Sequence, residues 1–140
     1  MYLKIFTDGG SRGNPGPGGV GVYVVDQDDK IIFQHGKFLG TVTNNQAEYQ
    51  AFQISLDWLL EYSKKHQVQK INWFLDSKLV VEQLNHRWKI KNEEIKKIAG
   101  QIFAKLNQLG FLYSIKHIPR EENSKADELV NRAVDLGIRE

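Results

Sequence analysis

The chain has 140 residues, no cysteine, 26% charged residues and a formal net charge of +2. This length suits one domain with a real core, and the lack of cysteine excludes disulfide bonds and thiolate metal sites. We expect no membrane-spanning segment, because no apolar run is long enough, and no signal peptide, because the first four residues lack its pattern. We therefore expect a single domain over residues 1–140, monomeric and cytoplasmic, with no membrane partner.

The apolar pattern of the first half predicts three strands and a helix. The first strand is expected to end at Asp8, and the next two cover residues 20–25 and 30–39. Asn44 or Asn45 can cap the following helix, which carries a carboxylate at the edge of the core in its first turns.

The second half predicts alternation of strands and helices. A fourth strand delivers Asp76 at its end, and a short helix follows over about residues 77–84. The longest helix is expected to run from Asn92 to a stop at Gly110, because its apolar residues form one stripe. A last strand over 111–118 and an amphipathic helix complete the order β-β-β-α-β-α-α-β-α, which implies a mixed sheet with helices packed on its faces.

Four acidic residues stand where apolar elements meet turns or helix starts: Asp8, Glu48, Asp76 and Asp127. Hard divalent cations such as Mg²⁺ need oxygen ligands in a convergent cluster of this kind. Two such cations about 4 Å apart can activate a water and stabilise the leaving oxygen of a phosphodiester. The pattern therefore favours a metal-dependent nuclease.

Each acid alone has a simpler explanation. Asp8 could be a turn residue, Glu48 a partner of the helix dipole, Asp76 an N-cap and Asp127 part of a solvated helix face. The glycine-rich run 8–19 is not a phosphate-binding loop, since no Gly-Lys-Ser or Gly-Lys-Thr follows. The occurrence of all four acids in this order favours the functional interpretation.

The chain resembles the type 1 ribonuclease H family, in its compact form without a basic protrusion. Four motifs match that family in order and spacing: Asp-Gly-(x)₃-Gly-Asn-Pro-Gly-Pro-Gly-Gly from Asp8, Thr-Asn-Asn-(x)₂-Glu from Thr43, Asp76-Ser77, and Asn-(x)₃-Asp from Asn123. The resemblance implies an α/β, RNase H-like fold with a five-stranded mixed sheet flanked by helices on both faces. It also implies endonucleolytic cleavage of the RNA strand of RNA–DNA hybrids, leaving 3′-hydroxyl and 5′-phosphate ends.

The resemblance further implies a site for two Mg²⁺ ions, with Mn²⁺ as a possible substitute. Asp8 would be the ligand shared by both ions. Glu48 and Asp76 would complete the site of one ion, and Asp127 would bind the other.

Hybrid recognition is assigned by the same resemblance to five residues. Asn14, Asn44 and Asn45 are expected to read the minor groove and its 2′-hydroxyls, although one asparagine of the pair could instead be a helix cap. Thr43 matches a contact to DNA-strand phosphate. Lys78 stands where many relatives carry glutamine, so its contact to the RNA strand stays open.

Two further features have a functional and a structural interpretation. His117 lies ten residues before Asp127, a spacing at which relatives place a histidine that helps proton transfer or product release. The adjoining Ile118-Pro119 step equally allows a structural histidine, in which case Arg120 is the next candidate. The basic segment 86–91 contains an aromatic residue and suits either a nucleic-acid surface or a solvated loop with its tryptophan in the core.

Two other functions remain possible from the sequence. One is a nuclease-inactive module that binds RNA or RNA–DNA hybrid, which the presence of all four carboxylates disfavours. The other is a relative of exonucleases or integrases, which the asparagine motifs disfavour.

Overall fold

The computed structural model describes residues 1–139. Its strands and helices, in chain order, are β1 (Tyr2–Ser11), β2 (Gly16–Asp26), β3 (Ile31–Val42), α1 (Asn44–Tyr62), β4 (Lys70–Leu75), α2 (Lys78–Leu84), α3 (Glu93–Leu106), β5 (Leu112–His117) and α4 (Ser124–Ile138), with a 3₁₀ turn at Arg120–Glu122 before α4. This order agrees with the predicted one. Within residues 1–139, no helix has the length and apolar character needed to cross a membrane.

The five strands form one mixed sheet in the order β3-β2-β1-β4-β5. β1, β2 and β3 are antiparallel neighbours, whereas β4 pairs in parallel with both β1 and β5. The carboxyl ends of β1 and β4 therefore lie side by side. Asp8 and Asp76, which follow the last residue pair of this parallel ladder, are brought together.

The main core lies between the sheet and the helices α1, α2 and α3. Trp73 of β4 is fully buried at its centre, where its ring lies 4.8 Å from that of Phe52. The indole N–H donates to Ser55 Oγ at 3.0 Å, which satisfies the polar atom of this large side chain.

Two glycines let helices approach the centre of the sheet from opposite faces. A Cβ on Gly9 would lie 2.2 Å from the carbonyl oxygen of Ala47 in α1, and a Cβ on Gly21 would lie 2.1 Å from that of Ala126 in α4. Gly21 pairs with Asp8 across β1 and β2. Helices thus pack directly against both faces of the sheet next to Asp8, as the predicted fold class requires.

Strand boundaries differ from the sequence prediction. β1 does not end at Asp8 but continues to Ser11, because residues 9–11 pair with residues 18–20 of β2. β2 and β3 are also longer than predicted, since the glycine-rich segments extend the antiparallel ladder instead of breaking it.

Two predictions about helices are wrong. The N-cap of α1 is Thr43, because its hydroxyl accepts from the Gln46 N–H and the Gln46 side chain accepts from the Thr43 N–H. α1, with 19 residues, is also the longest helix, whereas α3 has 14 and ends at Leu106 instead of Gly110. Beyond α3 the apolar stripe continues through a turn, in which Leu109 N–H donates to the Leu106 carbonyl.

Replacing Gly21 with alanine should destabilise the protein by about 1–3 kcal/mol, because α4 would have to move away from β2 to accept the new methyl group. Urea unfolding checks this value. Gly100→Ala is the matched control: an added Cβ at this exposed position in α3 meets nothing within 4 Å, so this variant should gain up to about 1 kcal/mol. Equal effects of the two substitutions would contradict the close packing at Gly21.

Candidate active site

Three of the four predicted carboxylates form a tight cluster. Ligand oxygens of Asp8, Glu48 and Asp76 all lie within 4.8 Å of one another. Asp8 and Glu48 are buried, with 5% and 7% of their surface exposed. Asp127, in the first turn of α4, is near enough to Asp8 for its negative charge to raise the pKa of the Asp8 carboxyl group.

The cluster lies at one side of an open cleft with a volume of about 540 Å³. All four acids line it, together with Arg12, Asn44, Asn45, Ser77, Arg120 and Asn131. The cleft is bounded by the β1–β2 hairpin, the start of α1 and the start of α4. Its width and polar lining suit a polar, extended ligand better than a small apolar molecule.

Burial and mutual repulsion change the acidity of the cluster. Burial, followed by the negative charge of Asp76, raises the pKa of Asp8 to about 7. Burial and the charges of Asp8 and Asp76 also raise the pKa of Glu48. Without a cation the cluster therefore retains protons near neutral pH, and a divalent cation would displace them.

Asn123 also belongs to this site, although the sequence motifs alone did not predict it. Its side chain is 1% exposed, and Nδ2 donates to the Thr7 carbonyl at 2.9 Å and to Asp76 Oδ2 at 3.1 Å. Within residues 1–139, only three buried side-chain polar atoms lack a hydrogen-bond partner: Thr7 Oγ1, Glu48 Oε2 and Asn123 Oδ1. All three lie at or beside the cluster. The Asn-(x)₃-Asp spacing was the available signal, although a helix cap explains an asparagine there equally well.

The side chains of two predicted hybrid-binding asparagines, Asn14 and Asn44, are fixed by hydrogen bonds from backbone N–H groups. Asn14 Oδ1 accepts from the Asn44 N–H at 3.0 Å, and Asn44 Oδ1 accepts from the Ser11 N–H at 2.9 Å. Arg12, beside them, forms an ion pair with Asp135 of α4 at 2.7 Å. The hairpin is thus joined to the start of α1 and to α4. Asn44 and Asn45 line the cleft, whereas Asn14 is exposed at the hairpin tip.

Other predicted contacts do not line the cleft. Thr43 Oγ1 is engaged as the cap of α1 and is half-buried, and Lys78 is exposed at the start of α2. Trp88 is on the surface, with 46% of its area exposed, so the alternative that placed it in the core is wrong. It lines a shallow depression with Lys89.

His117 does not line the carboxylate cleft. It is exposed at the end of β5, where it pairs with Leu75, the residue before Asp76. Arg120, three residues later, does line the cleft. A role for His117 in turnover stays a prediction.

Comparison with known proteins assigns the chain to a family. Residues 6–133 match a family model described as reverse transcriptase-like. The chain is 35% identical to LC11-RNase H1, solved in complex with an RNA/DNA hybrid, with a TM-score of 0.92 over 97% of this chain and 99% of that one. The chain belongs to the type 1 ribonuclease H family.

Other relatives of this ribonuclease H chain are similar over nearly its whole length. RNase H1 from the archaeon Halobacterium salinarum superimposes with a TM-score of 0.88 at 34% identity, over 96% of this chain and 98% of that one. The bifunctional protein Rv2228c of Mycobacterium tuberculosis is 38% identical over 136 residues, which are 96% of this chain but 36% of the mycobacterial protein. This chain thus spans about a third of the length of that relative.

The compact form predicted for this ribonuclease H domain agrees with the structure. Only residues 85–92 separate α2 from α3. In the described chain this connection contains no additional helix, so it has no room for a basic protrusion.

The metal-free protein should lose stability as the pH rises from about 4 to about 7. The ordinary pKa of an aspartic acid, 3.8, is raised to about 7 for Asp8 in the folded state. Between these values the folded state binds more protons than the unfolded state, so raising the pH favours unfolding. Asp8→Asn should remove this penalty. Its free energy of unfolding should exceed that of the parent by more than about 1.4 kcal/mol at pH 8, the equivalent of one pKa unit, and by little at pH 4.

Urea unfolding in the presence of a chelator measures this difference. Asp28→Asn provides the control, because Asp28 lies in the exposed turn between β2 and β3. A gain for Asp8→Asn that is equal at pH 4 and pH 8 would show that the cluster does not titrate as described.

Proposed function

We propose that this chain cleaves the RNA strand of RNA–DNA hybrids by hydrolysis, leaving 3′-hydroxyl and 5′-phosphate ends. The observation that carries this proposal is the cluster of Asp8, Glu48 and Asp76, with ligand oxygens within 4.8 Å of one another, facing a cleft completed by Asp127. The likeness to an RNase H1 that was solved with an RNA/DNA hybrid supports this choice of substrate.

The cluster fits hard divalent cations. All its ligand atoms are carboxylate oxygens, which Mg²⁺ and Mn²⁺ prefer to softer donors. Glu48 Oε2 is buried without a hydrogen-bond partner, as expected for an oxygen whose partner is a cation. We propose two Mg²⁺ ions, replaceable by Mn²⁺, which when bound activate the attacking water and neutralise the leaving oxygen.

Asp8 has the central place in this arrangement. It clusters with Glu48 and Asp76, and the negative charge of Asp127 also raises its pKa. A carboxylate that is close to all the other ligands can contribute an oxygen to each of two ions. This position supports Asp8 as the shared ligand, Glu48 and Asp76 as ligands of one ion, and Asp127 as a ligand of the other.

Two asparagine side chains are oriented so that their amide N–H groups can donate hydrogen bonds to the hybrid. Because Asn14 Oδ1 and Asn44 Oδ1 already accept backbone N–H groups, their Nδ2 groups are available to donate. The 2′-hydroxyl oxygen can accept, and so can minor-groove base atoms such as adenine N3 and thymine O2. We propose that Asn14 and Asn44, together with Asn45, select the hybrid through these contacts.

The DNA strand is proposed to contact the start of α1 and the connection between α2 and α3. Thr43 is the proposed contact to a phosphate of the DNA strand, whereas Lys78 is a proposed contact to the RNA strand. Arg87 is engaged by Glu82 at 2.8 Å, so the charge available in the segment 86–91 comes from Lys89 and Lys91 beside the exposed Trp88. Lysine and tryptophan together suit a nucleic-acid strand. The single-domain organisation, monomeric state and cytoplasmic location stay predictions from the sequence.

Cleavage assays with labelled substrates test the proposed function directly. In Mg²⁺, a hybrid with a run of ribonucleotides should be cut, an all-DNA duplex should not, and duplex RNA should be cut poorly at best. A single embedded ribonucleotide should also be a poor substrate, because too few 2′-hydroxyl contacts form. Binding of the hybrid without any cleavage, in Mg²⁺ or Mn²⁺, would instead support the nuclease-inactive module.

Asp8→Asn is the matched variant for these assays. It should abolish cleavage while the fold remains intact, because it removes the proposed shared ligand from a crowded acidic cluster. Circular dichroism and melting temperature control for folding. Near-parental turnover by this variant would eliminate the two-metal assignment.

Turnover by His117→Ala and Arg120→Ala distinguishes the two candidate residues near the cleft. Arg120→Ala should have the larger effect, about 10–100-fold in kcat/KM, because only Arg120 lines the cleft and its charge can meet a phosphate there. If His117 transfers protons, His117→Ala should lower kcat by roughly 10²-fold without changing the KM for hybrid. His35→Ala and His66→Ala are surface controls. A kcat within about twofold of the parent from pH 6 to pH 9 would make His117 incidental.

A further inference from the structure

Asn123 lies where three elements that carry the carboxylates meet. Its Nδ2 donates to the carbonyl of Thr7, the residue before Asp8, and to Asp76 Oδ2. Its own carbonyl accepts the Asp127 N–H at 3.1 Å. One residue therefore contacts β1, the end of β4 and the first turn of α4.

The two acceptors fix which way the amide faces. A backbone carbonyl can only accept, so the Asn123 side chain must present Nδ2 to the Thr7 carbonyl, and the same Nδ2 reaches Asp76 Oδ2. Oδ1 then points the other way, where it is buried without a partner. Neither an aspartate nor an apolar residue could make both bonds.

Asn123 is unusual for an asparagine at the start of a helix. It is the N-cap of α4, but its side chain makes no capping hydrogen bond. Asn92, the N-cap of α3, has the ordinary arrangement, in which Oδ1 accepts from the Ile95 N–H at 3.1 Å. The Asn123 side chain is thus turned away from the helix that it could stabilise and toward the carboxylate cluster.

Asp76 needs support of this kind because the strand ends before it. The parallel ladder between β1 and β4 stops at the pair Thr7–Leu75, so the ladder does not hold Asp76. The Asn123 amide bonds both the carbonyl of Thr7, in that last pair, and the carboxylate of Asp76. This bridge restricts the Asp76 side chain relative to β1.

We propose that Asn123 is a positioning residue, which holds Asp76 and the first turn of α4 in the arrangement that binds divalent cations. The inference rests on the proposed function of the cluster and adds a residue that is not itself a ligand. Groups that orient metal ligands typically change metal affinity or activity by about 10–100-fold when they are removed.

Binding of Mn²⁺ alone, measured by calorimetry without nucleic acid, tests the role of Asn123. Asn123→Ser should weaken Mn²⁺ binding about 10-fold or more, because serine removes the amide bridge and can still cap α4. Asn92→Ser is the matched control, since it makes the same change at the N-cap of α3, and its Mn²⁺ affinity should equal that of the parent. Melting in chelator separates this effect from general destabilisation. Unchanged Mn²⁺ affinity in folded Asn123→Ser would overturn the proposal.

A measurement on the unmodified protein covers the case in which Asn123→Ser does not fold. The side-chain amide protons of Asn123 should shift saturably in NMR spectra as Mg²⁺ is added, because they donate to a proposed ligand. The side-chain amide of Asn85, which donates to the Ile115 carbonyl, should not shift. No shift at Asn123 while the cluster binds Mg²⁺ would overturn the positioning role.

The outcomes also separate this inference from the proposed function. If the parent binds Mn²⁺ and Asp8→Asn does not, the proposed metal site is supported, and a parent-like Asn123→Ser would then count against Asn123 alone. If the parent binds no Mn²⁺, the metal site itself is wrong and the inference fails with it.

Discussion

The close approach of two helices to the centre of the sheet is the constraint on which the site depends. α1 and α4 pack against opposite faces, and at Gly9 and Gly21 there is no room for a Cβ. Glu48 follows the residue that contacts Gly9, and Asp127 follows the residue that contacts Gly21. Both acids therefore reach Asp8 only because these two strand positions have no side chain.

That packing creates an electrostatic conflict in the metal-free protein. Burial places Asp8 and Glu48 together in a poorly solvated environment, and the pKa of each is raised as a result. Glu48 Oε2, which is buried without a hydrogen-bond partner, adds to the free-energy cost of folding. Proteins tolerate such arrangements where function requires them, and here the rest of the core is apolar and well packed around Trp73. The cluster is thus a local exception within a stable fold.

The sequence predicted the order of the elements and the four carboxylates. Both predictions rest on local patterns: the periodicity of apolar residues along each strand or helix, and the spacing of residues within short motifs. It failed where a tertiary contact decides the outcome. Asn44 is a good cap by composition, yet Thr43 caps α1 because Gln46 completes a reciprocal pair with it. Asn123 could not be recognised from the sequence, because an asparagine before a helix normally indicates a cap. Only the three-dimensional structure shows that its amide donates to Asp76 instead. His117 does not line the cleft, and its role in turnover stays a prediction.

The parallel pairing of β1 with β4 has a consequence for how the chain folds. It joins Tyr2 to Lys70, and the acids come from four elements spread between residues 8 and 127. Pairings between such distant segments form slowly, because a long loop must close before any contact is gained. A partly folded chain therefore cannot present the complete cluster. A cation that binds only the complete cluster stabilises the native state by mass action, so a higher concentration of free divalent cation would increase the fraction of chains that are folded.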